Sequence, residues 1–322
     1  MVNLYWPVYK SIEHEIAELS SKIHFDDEQL SVYSVKISEL LIRCAVEIES
    51  ISKDLYFKNG GQKANDKDLF FDTDCLEFLE HRWLLSKKKV IVSAPDFYFI
   101  NDENRILTPL KKANKRGSSG ADWAKAYQAV KHNRSQDLKR GNIKNLLRAT
   151  AALFLLNLYY RDDVFDLLNI KHDNFSHRFS NLFSVKVHEF KGDTVRGDSY
   201  LKSEDYEENT YLIKWTDDYK KKYMEWVNEQ ENNLNNLIFN HHNVKNYIND
   251  NLTENGNILR DEYVYFIENR EYVKLFNKTE FADIISQADH MARRNLNFDW
   301  GASANYEAVL NKHQFIYADV IS

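Results

Sequence analysis

The sequence predicts a mainly α protein, with an N-terminal helical bundle followed by a C-terminal α+β region. Three observations carry this. Nine Gly and three Pro among 322 residues leave long stretches without a chain breaker, and all-β folds need more turn residues. Apolar residues of the N-terminal half recur at three- and four-residue spacing, the period of an amphipathic helix. From about Phe183 onward, short alternating runs such as Phe183–Phe190 and Tyr211–Trp215 enter the pattern, as strands do.

Taken in order, the first helix is expected over Leu4–Ile23. Asp26, Asp27 and Glu28 offer a start for a long helix over Glu28–Phe57. Its inward stripe is Ile37, Leu40, Leu41, Cys44, Ile48, Ile51 and Leu55, and Asn59-Gly60-Gly61 ends it. Phe70–Leu85 reads as helix. Lys89–Val92 and Phe97–Ile100 read as short strands or extended loop either side of Pro95, and Lys111–Gly120 as a flexible loop. Asp122 is expected to cap a helix running to about Arg134, and Asn142 a helix over Ile143–Tyr160. The apolar run Ala149–Tyr160 is too short to cross a membrane and reads as a buried helix. A charged helix should start at Thr216 and run to about Asn240, and Asn232–Asn257 reads as surface loop and frayed helix. Glu262–Ile267 and Tyr272–Phe276 read as strands, and Thr279–Asn295 as a helix capped by its threonine. A soft boundary near Phe183 separates a bundle of residues 1–182 from an accessory region, 183–322.

Net charge is −6 and the pI near 6.0, which argues against nucleic acid coating the whole surface. A local basic segment stands out all the same: Lys111–Arg148 holds eleven Lys or Arg against two acids, Asp122 and Asp137. Two cysteines make no disulfide framework. The segment Met1–Ile16 reads as neither a signal nor a transit peptide, so a reducing, cytoplasmic setting is expected, with no membrane partner.

The helix around Trp123 places Trp123, Tyr127, Val130 and Arg134 on one face, expected to pack on the long helix. Lys131, His132 and Arg134 fall within four residues. An imidazole can take and return a proton near pH 7, and cations beside it can hold a phosphodiester. On the long helix Arg43 and Glu47 stand four apart, with Glu47 against the apolar stripe. A carboxylate there needs a partner, and Lys131, His132 or Arg134 is the natural one. Such a cluster either fixes helix register or forms a site. In a site, His132 is the acid/base, Lys131, Arg134 and Arg43 bind phosphate, and Glu47 orients one of them. Lys111, Lys112, Lys115, Arg116, Lys139 and Arg140 are candidates for nucleic-acid contact, the plainer reading being a solvated face.

The order R-x3-E (Arg43, Glu47), then W-x3-Y-x3-K-H-x-R from Trp123 to Arg134, then an apolar helix, resembles the HEPN superfamily over roughly Glu28–Tyr160. The resemblance implies a metal-independent RNA endonuclease or toxin-like effector of the kind found in toxin–antitoxin, CRISPR and phage-defence systems. It also implies a homodimer, with RNA as substrate and an antitoxin or other protein as partner. The family's usual R-x4-6-H motif occurs nowhere in the chain. Arg134 follows His132 by two residues and so points elsewhere, which leaves Arg43 to supply the cation from the other helix. Two rival readings are a non-catalytic dimerisation or docking module, and an RNA binder that does not cleave. No cofactor is expected. His172, Asp173 and His177 match no closed metal site, and His290 with Arg294, near Asp283 and Arg293, forms a second, weaker polar group. Phosphate-loop, dinucleotide, zincin and nucleophile-elbow motifs are absent.

Overall fold

The computed structural model describes residues 4–62, 68–168, 175, 179–188, 200–201, 204–313 and 317–318. The chain is mainly α with a smaller α+β part. Helices α1 (Tyr5–Ser20), α2 (Val35–Lys58), α3 (Glu77–Trp83), α4 (Asp102–Arg105), α5 (Asp122–Asp137) and α6 (Ile143–Arg161) come first, and α7 (Asp217–Asn240), α8 (His242–Asn251), α9 (Arg260–Glu268) and α10 (Lys278–Leu296) follow. The strands are β1 (Phe25–Asp26), β2 (Val90–Val92), β3 (Phe97–Tyr98), β4 (Ile106–Leu107), β5 (Phe165–Leu168), β6 (Phe183–Val185), β7 (Val187–His188), β8 (Tyr200–Leu201), β9 (Tyr211–Trp215), β10 (Thr253–Glu254), β11 (Asn257–Ile258), β12 (Tyr306–Leu310) and β13 (Tyr317–Ala318). Among the described residues no helix is long and apolar enough to cross a membrane.

Contacts divide the chain into two units. One lies within Met1–Gly192, Tyr200–Lys214 and Tyr306–Ser322, the other within Asp193–Ser199 and Trp215–Asn305. The boundary expected at Phe183 therefore falls inside the first unit. Strand pairing is the reason: β6 joins β2 antiparallel, with Phe183 opposite Val92 and Val185 opposite Val90. β4 flanks β2 on its other side, while β5, β12, β9 and β7 form a second sheet in that order.

In the first unit α6 is the hub. Every residue from Ala149 to Tyr159 is buried, and a helix apolar on all sides must be enclosed. α1, α2 and α5 pack on it. α2 turns the expected stripe inward, with all seven residues from Ile37 to Leu55 fully buried. It starts later than expected because Ser34 is its cap, the hydroxyl accepting the Ile37 amide at 3.1 Å. Asp26 instead accepts the amides of Glu28 and Gln29 and starts a short 3-10 turn, Gln29–Ser31.

Other expectations need correction. Phe70–Leu85 opens with a π-helical turn, Phe71–Leu76, before α3. Glu262–Ile267 lies in α9, and Tyr272–Phe276 falls largely in a 3-10 stretch, Glu271–Leu275. Tyr263, Phe266 and Ile267 share a helical face that joins Ile238, Val244, Leu252 and Ile284 in the core of the second unit, and this packing overrides strand propensity. Most of Asn232–Asn257 is ordered as the end of α7, α8 and the β10–β11 hairpin. Asn277, with Glu280, caps α10 in place of Thr279. His172, Asp173, His177 and residues 189–190 lie outside the described residues.

Glu13 and Lys88 are two of the buried charged side chains of the first unit. The Glu13 carboxylate accepts the Ser180 hydroxyl, the Asn181 amide at 2.8 Å and the ammonium of Lys10. Burial alone would raise its pKa, but these donors outweigh burial and hold it below the ordinary glutamate range. The anchor ties the segment before β6 to α1. Lys88 is fully buried and donates to the Glu207 carbonyl at 2.9 Å. Burial pushes its pKa down to about 7, against the opposing pull of Glu207 and Glu80.

Glu13→Ala leaves the buried donors without their acceptor and is expected to cost on the order of 3 kcal/mol in urea unfolding at pH 7. Because the folded pKa is depressed, this loss is full above the free glutamate value and fades as pH falls through the folded one. Lys88→Met removes a buried cation and is expected to stabilise by about 2 kcal/mol at pH 7. The burial penalty is full below the folded pKa of about 7 and falls as pH rises towards the free lysine value, where the unfolded side chain is neutral as well, so the gain in Tm shrinks as pH rises from 7 towards 10.

Candidate functional site

A cleft of about 850 Å³ opens in the first unit among α2, the π-helical turn, the loop before α5 and α5 itself. Glu49 and Lys53 reach it from α2, one helical turn apart. Phe70 and Asp72 line a second side, Lys115 and Arg116 a third, and Lys125 and Gln128 of α5 a fourth, with Arg140 at the edge. Five cations thus meet two carboxylates.

Arg116 organises one side. Its Nε and Nη2 reach the two oxygens of Asp72 at 3.0 and 2.8 Å, and its guanidinium lies 3.8 Å from the centre of the Phe70 ring. Asp72 is 10% exposed and Arg116 47%, so the carboxylate is committed to the pair while the guanidinium keeps donors turned to solvent. The hydrogen bonds it donates to Asp72 raise the Arg116 pKa further. Phe70 is 41% exposed, large for a ring. The π-helical turn sets Phe71 and Asp72 on the cleft, and such turns recur at functional sites. Opposite, Gly117 takes a φ of +64°, which glycine adopts without strain. The adjacent α5 is pinned by the indole of Trp123, which donates to the Pro109 carbonyl at 2.9 Å.

The other cations differ in how they are held. Lys115 lies 3.9 Å from Glu77, Lys125 2.8 Å from Asp122 and Arg140 3.1 Å from Asp137. These pairs are weakly held near solvent. Neither Lys53 nor Glu49 joins an ion pair within 4.0 Å among the described residues.

Of the residues singled out in the sequence, Lys115, Arg116 and Arg140 line the cleft. Lys111, Lys112 and Lys139 are exposed away from its lining. Trp123, Tyr127 and Val130 are buried as expected, but Arg134 is not. The helix kinks at Asn133, which has φ −145° and ψ 58°, and this swings Arg134 off the packed face. His132 is exposed, not seated at a helix seam; two residues past buried Val130, it points the opposite way. Lys131 sits 5.3 Å over the Tyr127 ring.

The expected cluster around Glu47 is not assembled. Arg43 pairs with Glu15 of α1, which also takes Lys36. Glu47 is half-buried, burial raising its pKa and Arg43 lowering it. No ion pair within 4.0 Å joins it to Lys131, His132 or Arg134. The physical reason is the helix period: Glu49 is the α2 acid whose charge reaches Lys131, and Glu47, two residues earlier, faces nearly the opposite side. His290 and Arg294 are exposed on α10, where Arg293 pairs with Asp289 and Asp299. Among the described residues no three His, Cys, Asp or Glu are grouped to hold a metal ion. Both cysteines are buried and free.

Glu49, Lys53, Phe70, Asp72, Lys125 and Gln128 line the cleft without standing out as site residues in the sequence. The i,i+4 pair Glu49–Lys53 on the polar side of α2 was a readable signal; the π-helical turn has none. No protein-family model, curated protein or solved structure matches the chain.

Arg116→Ala strands the Asp72 carboxylate and is expected to cost about 2 kcal/mol by chemical denaturation. Arg116→Ala with Asp72→Ala is expected to cost less than the sum of the two single changes, the mark of a coupled pair.

Proposed function

We propose that the protein binds single-stranded RNA in the cleft between α2 and α5. The observation that carries this is the grouping of Lys53, Lys115, Arg116, Lys125 and Arg140 around one concavity with an accessible aromatic ring, Phe70, on its wall. A positive groove tracks a phosphate backbone, and a ring offers a face on which a base stacks. The resemblance of Arg43–Arg134 to the HEPN pattern supports RNA in preference to other polyanions, and a homodimer or a protein partner such as an antitoxin comes with the same resemblance.

A second reading, metal-independent cleavage, is favoured by one observation. His132 is exposed, one helical turn beyond Gln128 of the cleft. An imidazole there can take the proton of a 2′-hydroxyl from RNA held in the cleft, and Lys131 adds a cation next to it. Arg43 and Glu47 have no part in this version, since Arg43 is engaged with Glu15.

Fluorescence anisotropy with a labelled oligouridylate tests the first reading. Lys53→Ala and Lys125→Ala are each expected to weaken binding and to flatten the log–log salt dependence by about 0.7. Absence of binding at low salt, or binding that ignores salt, contradicts it. Cleavage in EDTA that disappears in His132→Ala while binding persists supports the second reading. Binding without cleavage leaves the first reading alone.

A further inference from the structure

Glu49 is out of place in its surroundings. It lines a cleft whose other charged side chains are five cations and Asp72, and Asp72 is spent on Arg116. Glu49 is half-buried on α2 and joins no ion pair within 4.0 Å among the described residues. It is nonetheless surrounded by positive charge: its field reaches the guanidinium of Arg116 on one element and the ammonium of Lys131 on another, and Lys53 follows one turn along the same helix. A carboxylate accepts hydrogen bonds and donates none, so the ligand group that pairs with Glu49 is a donor, and the cations lining the same cleft favour anions beside it.

We propose that Glu49 is the residue that selects RNA over DNA in this cleft, by accepting a hydrogen bond from a ribose 2′-hydroxyl. The inference rests on the RNA-binding reading of the site. In an RNA strand the 2′-hydroxyl is a donor that every nucleotide carries beside its phosphates, whatever the base. A carboxylate set among cations is complementary to a hydroxyl set among phosphates, and the match needs no particular sequence. A hydroxyl bound to an ionised acceptor is worth more than a neutral hydrogen bond. DNA has no donor to offer there and leaves the carboxylate facing phosphates without compensation.

The test compares labelled oligouridylate with oligodeoxyuridylate, which differ in the 2′-hydroxyl alone, on the full chain and on Glu49→Ala and Glu49→Gln, with folding of each variant checked by circular dichroism and probe integrity by gel. The wild-type protein is expected to prefer the ribo-oligomer by about ten-fold. Glu49→Ala removes both the acceptor and the repulsion, so the preference falls towards one while the deoxy-oligomer binds more tightly than to the wild type. Glu49→Gln keeps an acceptor without the charge and retains part of the preference. A wild type that binds both oligomers equally, or a preference unchanged in Glu49→Ala, overturns the assignment of Glu49 and leaves the binding cleft standing. Failure of both oligomers to bind the wild type at low salt overturns the cleft reading itself, and this inference with it.

Discussion

The enclosure of α6 is the constraint from which the first unit follows. A helix whose sides are all apolar gains stability only when every side is covered, and burying each leucine or phenylalanine contributes about 2 kcal/mol. One face is met by α2 through the stripe Ile37–Leu55, and others by α1 and α5. Tyr159, near its C-terminal end, donates to the Asn311 carbonyl at 2.7 Å, which brings the strand-bearing segment after β12 onto the same hub. That is why strands far along the sequence belong to the bundle and not to a separate C-terminal domain.

The cleft is a by-product of this enclosure that side-chain chemistry then specialises. α2 and α5 each spend one face on the core, so their polar faces diverge outward. Glu49 and Lys53 on one, and Lys125 and Gln128 on the other, are left lining the gap. The π-helical turn and the glycine-bearing loop close the remaining sides, and the Asp72–Arg116 pair locks them together. A guanidinium gripped by a carboxylate and stacked on a ring has lost its freedom in advance, and a ligand that meets it does not bear that ordering cost.

Much of the bundle was legible in the sequence because its signals are periodic. The α2 stripe, the apolar run Ala149–Tyr160 of α6 and the caps at Asn142 and Thr216 all survive in three dimensions. What failed was decided by tertiary context. Tyr263, Phe266 and Ile267 carry strand-forming side chains, yet their three- and four-residue spacing lets them fill the core of the second unit from a helix. β5 and β12 gave no alternation strong enough to read, since each is defined by its partner. At the site, the basic loop was visible as charge, and Lys115, Arg116 and Arg140 do line the cleft. The pairing of Glu47 with the Lys131–Arg134 cations was not realised, because it required α2 to present the face that Arg43 shows to α1. The kink at Asn133, which turns Arg134 away, has no breaker residue to announce it.

Photo-crosslinking a thiouridine-substituted oligoribonucleotide to the intact protein, followed by mapping of the modified peptides, asks where on the protein RNA sits. Crosslinks are expected on the peptides that carry Phe70 and the loop Lys115–Gly120, competed away by unlabelled RNA and by salt. Crosslinks confined to surfaces outside the cleft, or none above background at low salt, would contradict RNA binding in the cleft.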